Sequence, residues 1–161
     1  QIEKPSGRRL RAVIVGFSGY AQPNMQLAYA QNDALDLASL FVDDYRARVV
    51  DKTSGLAPDF DHVEIDLFVA PTTGSAKSQI DELKASGIVR VHEPSIHELR
   101  SVLKGLAAPS NAHARERDVF LFYFSGHGIL NPYRERKGLT ALLGPGINEL
   151  TPDAMANHAL E

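Results

Sequence analysis

Cysteine is absent from all 161 residues, and that absence excludes more chemistry than any other. Without thiols the chain has no disulfides and no thiolate metal site, and it suits a cytosolic origin, where cysteines are kept reduced. Nor can it supply a cysteine nucleophile of its own. Long apolar runs are missing too: the longest, around Val119–Phe124, falls far short of the roughly 20 residues of a bilayer span, so no membrane partner is expected. A basic excess is also lacking. Lys and Arg number 17 against 20 Asp and Glu, a net charge of −3, which gives no reason to expect nucleic-acid binding. No signal peptide is visible, and the chain opens on Gln1, so a fragment or a processed form is expected. What remains, 43% hydrophobic and 23% charged residues, describes an ordinary globular protein. Repeats and composition shifts are absent, which predicts one domain over 11–161 after a polar, basic lead-in over 1–10.

The apolar run Ala12-Val13-Ile14-Val15, ending at Gly16, reads as a first buried strand within Arg11–Phe17. Helical spacing follows over Asn32–Tyr45. Ala34, Leu37, Ala38 and Phe41 share one face, Asn32 suits the N-cap, and Asp33 suits the positive end of the helix dipole. Val63, Ile65, Leu67 and Val69 alternate with Glu64 and Asp66, as in a strand nearer the sheet edge. A short helix over Ser75–Ser86 stops at Gly87, and Ile88–Val91 reads as a minor strand. Ser95 and Glu98 make a capping box for a helix with Ile96, Leu99, Leu103 and Leu106 as its buried stripe. Leu139–Leu143 reads as a short strand or hairpin arm, and Thr151-Pro152 as the start of a last helix. That helix has hardly two turns before the chain stops, so further strands are expected to follow. Strand–helix alternation predicts an α/β fold, an αβα sandwich with a mainly parallel sheet.

Asp118–Gly128 carries the strongest signal. Val119–Phe124 is wholly apolar, as in a central strand buried on both faces, and it ends in Ser125-Gly126-His127-Gly128. Sites in open α/β sheets form beyond the carboxyl ends of strands, where His127 would sit. From the residues alone, His127 is either an acid–base group or a ring that merely caps a tight glycine turn.

The stretch Phe120–Gly128 resembles the histidine motif of the caspase-like clan, which includes caspases, metacaspases and bacterial caspase-homologue peptidases. Two other features resemble that clan: the strand Ala12–Phe17 leading to Gln31-Asn32-Asp33-Ala34, and the helix Ser95–Leu106 before the histidine strand. The resemblance covers most of 11–155 and implies a caspase-like cysteine endopeptidase domain without a cofactor. It implies His127 as the catalytic acid–base group and the Gly128 N–H as an oxyanion donor, with a protein or peptide substrate as partner. Asp33 matches the position that in metacaspase-like members lines the pocket for a basic side chain. It equally suits a helix N-terminus.

The chain departs from the clan where the nucleophile belongs. Only 34 residues follow His127 (161 − 127), none of them cysteine. Ser125 reads as a turn residue, because two residues from His127 it has no independent base. The partner then expected is the remainder of the domain, carrying the cysteine, and the present chain is expected to be incomplete at its C-terminus and inactive alone. Two other readings stand beside it: a catalytically dead interaction or regulatory module, and a flavodoxin-like nucleotide-binding domain. Gly16-x-x-Gly19 would be the phosphate turn of the latter, but it lacks the third glycine of dinucleotide folds. His92 and His97 are not spaced to share a metal, His62, His113 and His158 are isolated, and no Asp or Glu lies between Leu139 and Asn148 for calcium. No metal site is expected. Arg134–Lys137 reads as a solvated loop.

Overall fold

Strands β1 (Arg9–Phe17), β2 (His62–Ala70), β3 (Val89–Val91) and β4 (Val119–Ser125) form a parallel sheet in the order β3-β2-β1-β4. A computed structural model describes residues 8–53, 60–72, 74–108, 118–130 and 140–160 of the chain. Side-chain alternation sends each strand's residues to two cores. Leu10, Ala12 and Ile14 meet helices α1 (Ala30–Tyr45) and α2 (Ser75–Ala85) on one face. On the other, Val13, Val15 and Phe17 meet helices α3 (Ile96–Leu106) and α4 (Pro152–His158). The fold is therefore α/β, with helices on both faces of a mainly parallel sheet. A second, antiparallel sheet of β5 (Gly128–Leu130), β6 (Thr140–Leu143) and β7 (Ala159–Leu160) closes the α3–α4 side. None of the described helices is long and apolar enough to cross a membrane.

Several local expectations need correction. β1 begins at Arg9, two residues before Arg11. β4 is not a central strand: among the described residues it pairs with β1 alone. Its side chains do reach both cores, but they are half-buried apart from Phe120, which is 54% exposed and which no further strand covers among the described residues. β2, read as nearer the edge, is an interior strand with β3 outside it. Its Asp66 is buried because His92 and Arg90 of the neighbouring segment meet the carboxylate, at 2.7 and 3.6 Å.

α1 starts at Ala30, so Asn32 lies inside the helix and is not its cap. The capping oxygen comes from a distance: Ser18 Oγ accepts the Gln31 N–H at 2.8 Å. Ser95 caps α3 as expected, accepting the Glu98 N–H at 3.2 Å, but the Glu98 carboxylate turns to His92 Nδ1 at 3.4 Å. Gly87, with φ of 76°, ends α2 in the left-handed region that glycine tolerates. α4 is not cut short. Thr151 Oγ1 caps it at the Ala154 N–H, it ends at His158, and the chain continues as β7.

Candidate active site

All four strands run parallel, but the direction in which strands are added switches at β1. The connection through α1 leads to β2 on one side, whereas β4 joins on the other. Such a switch opens a crevice at the carboxyl ends of the strands. His127 lies there, two residues past the end of β4. The turn that carries it needs glycine at Gly126, where a Cβ would lie 2.8 Å from the Tyr20 hydroxyl and 2.9 Å from the Phe124 ring.

Three hydrogen bonds hold His127. Its N–H donates to the Tyr20 hydroxyl at 2.8 Å, its carbonyl accepts the Leu143 N–H at 2.8 Å, and ring Nε2 lies 2.8 Å from the Met25 carbonyl. A carbonyl only accepts, so Nε2 carries the proton in this contact and Nδ1 of the neutral ring is left as the basic nitrogen. The ring is half-buried and lies against that of Tyr20, with centroids 4.9 Å apart and planes at 59°. Burial raises the Tyr20 hydroxyl above the usual phenol range, opposed in part by its bond to the His127 amide. The phenol is therefore neutral at physiological pH.

Gly128 is the first residue of β5 and is opposite Leu142 of β6. The Leu143-to-His127 bond makes this a non-hydrogen-bonded pair, which turns the Gly128 N–H away from β6 toward the open edge of β5. Gly128 is exposed, and a Cβ there would make only ordinary contacts, the nearest at 3.5 Å. An outward amide thus stands next to an anchored imidazole.

Asp33 is brought to the same end of the sheet. It is exposed in the first turn of α1, and its Oδ2 accepts from Ser125 Oγ at 3.4 Å, linking that turn to the residue two before His127. Ser125 is thereby more than a turn former, since its hydroxyl faces Asp33. Gln31, buried beneath, donates through Nε2 to the Pro71 carbonyl and ties α1 to the end of β2.

Three participants were not singled out from the sequence: Tyr20, the Met25 carbonyl, and Gln26, whose side-chain amide bonds both the N–H and the carbonyl of Tyr20. Tyr20 and His127 are 107 residues apart, and no periodicity links a loop tyrosine to a distant turn. The residues set aside are mostly accounted for by packing. Gly16 seats α1, because a Cβ would meet the Ala30 carbonyl and Ala34, and Gly19 lies against Pro71. His92 stacks on Phe68 between Asp66 and Glu98, while His97 and His62 are exposed. His158, read as isolated, is half-buried, with its ring over Gly146. Among the described residues no group of three or more His, Asp and Glu is arranged to hold a metal. His113 and Arg134–Lys137 lie outside the described residues. A cleft of about 310 Å³ lined by Arg9, Arg11, Leu103 and Phe120 is at the opposite, amino end of the strands, away from His127.

Residues 9–144 match the family model described as the caspase domain. Comparison with curated proteins and with solved structures returns no match.

Proposed function

The chain belongs to the caspase-domain family, and from that premise we propose that its carboxyl-end site serves peptide-bond hydrolysis by a cysteine thiol supplied from outside these 161 residues. The observation that carries this reading is the pairing of an anchored imidazole with an adjacent outward amide, His127 and Gly128. In the proposed cycle, Nδ1 of His127 takes the thiol proton as sulfur attacks the substrate carbonyl carbon. The carbonyl oxygen becomes an oxyanion received by the Gly128 N–H. His127 returns the proton to the departing amine nitrogen as the C–N bond breaks, leaving a thioester. Water then attacks the thioester, giving its proton to His127, and the carboxylic product leaves as the proton goes back to sulfur. The open edge of β4 suits a further strand that would bring the thiol beside His127. A cytoplasmic setting, where thiols remain reduced, suits this chemistry.

Asp33 is proposed to select a basic substrate side chain before the cleaved bond. Its exposure and its position beside Ser125 support that role, since a carboxylate pairs with an Arg or Lys of a bound peptide. The absence of cysteine favours one rival, a non-catalytic caspase-like module. The two separate in an assay of the full-length gene product with Arg-, Lys- and Asp-type fluorogenic peptides. Cleavage after Arg or Lys, weakened in Asp33→Asn, is expected. Cleavage of none of the three would overturn the peptidase reading, and preference for the Asp-type peptide would overturn the role of Asp33.

A further inference from the structure

Two successive amides follow Gly126, and they differ: the Gly128 N–H turns outward, whereas the His127 N–H is engaged within the fold. The His127 amide is engaged by a side chain. Of the three bonds that hold His127, two go to main-chain atoms and only one to a side chain, the Tyr20 hydroxyl at 2.8 Å. That hydroxyl is buried and faces the Leu143 carbonyl at 3.5 Å, so it spans from the histidine turn to β6. The Tyr20 ring walls one side of the imidazole. The backbone of Tyr20 is in turn clasped by the Gln26 amide: the Tyr20 N–H donates to Gln26 Oε1 at 3.4 Å, and Gln26 Nε2 donates to the Tyr20 carbonyl at 2.6 Å. Gln26 directly follows Met25, whose carbonyl holds Nε2. Tyr20 is therefore joined directly to the His127 amide and to Leu143, and through Gln26 to the residue next to Met25.

We propose that Tyr20 is the positioning residue of this site. Its hydroxyl engages the His127 amide so that only the Gly128 amide is presented to substrate, and its ring with the Gln26 clasp keeps Nε2 on the Met25 carbonyl and Nδ1 free. The assignment rests on the reading of His127 and Gly128 given above, but its test does not require turnover.

The 161-residue chain, labelled with 15N and 13C, is compared as wild type, Tyr20→Phe and Gln26→Ala by nuclear magnetic resonance at about pH 8, where a histidine ring is ordinarily neutral. Tyr20→Phe keeps the ring and removes only the hydroxyl. The His127 amide is expected to exchange with solvent roughly three- to tenfold faster, the size of one neutral hydrogen bond, with the Ile65 and Leu67 amides of β2 unchanged. In Gln26→Ala the His127 ring nitrogens are expected to shift from a predominantly Nε2-protonated signature toward a mixture of the two tautomers. An unchanged His127 exchange rate in Tyr20→Phe, or an unchanged tautomer signature in Gln26→Ala, overturns the proposal. In the full-length gene product, Tyr20→Phe should lower kcat with KM little altered. Should that protein cleave no peptide, the peptidase reading fails while the magnetic-resonance outcome still decides the role of Tyr20.

Discussion

Replacing Gly16 with alanine would set a methyl carbon 2.4 Å from the Ala30 carbonyl oxygen and 2.5 Å from the Ala34 methyl. Both distances fall roughly 1 Å inside ordinary van der Waals contact of about 3.5 Å. Neither obstacle can swing aside, because one is main chain and the other is a Cβ of α1. The helix would have to retreat from the sheet by a similar amount, loosening the fully buried Ala34, Leu35 and Ala38 and drawing Asp33 away from Ser125. Overpacking of this kind costs about 1–3 kcal/mol. For a chain of this length a loss near 2 kcal/mol lowers Tm by roughly 4–8 °C. Thermal and urea denaturation followed by circular dichroism would read it directly. A Tm within about 1 °C of wild type would mean that α1 does not rest on Gly16, and the seating of Asp33 would have to be argued afresh.

Three further expectations follow from named atoms. Gly105→Ala, in α3 with nothing within 4 Å of the added carbon, should stabilise the fold by about 0.5–1 kcal/mol in urea titration. Gly128→Ala, with its nearest contacts at 3.5 Å, should change stability by less than about 0.5 kcal/mol in the same titration. In the peptidase assay that variant should nonetheless lower kcat/KM by roughly 10- to 100-fold, through displacement of the bound carbonyl. Burial raises the Tyr20 pKa, so the fold favours the neutral phenol. That contribution is complete below about pH 10 and is lost as pH rises through the raised value. Tyr20→Phe has nothing to ionise, and its stability should decline less steeply above about pH 10 than that of wild type, as measured by denaturant unfolding at stepped pH.

The architecture was legible wherever hydrophobic period met local punctuation. Ala12–Val15, the α3 stripe with Ser95 before it, and Thr151-Pro152 each carry their signal within a few residues, and the elements formed there. Misreadings arose where a distant partner decided the outcome. The apolarity of Val119–Phe124 predicted a central strand, because composition reports which faces meet cores but not whether a neighbour lies beyond the edge. Asp66 looked like a solvent-facing alternate, yet His92 and Arg90 allow it to be buried. Asn32 looked like a cap, yet Ser18 supplies the oxygen from 13 residues upstream. The same limit governs the site. His127, Gly128 and Asp33 stand in short motifs and could be nominated from the sequence. Tyr20, Gln26 and the Met25 carbonyl act only through the fold, and a carbonyl has no sequence signature.

The central claim is that the imidazole tethered to the Met25 carbonyl moves protons during peptide cleavage. It is tested most directly by comparing kcat/KM of the full-length gene product with that of His127→Ala on an Arg-type fluorogenic peptide. The account predicts a loss of roughly 10²- to 10⁴-fold with the fold intact by circular dichroism. A His127→Ala protein that cleaves the peptide as fast as wild type would contradict it.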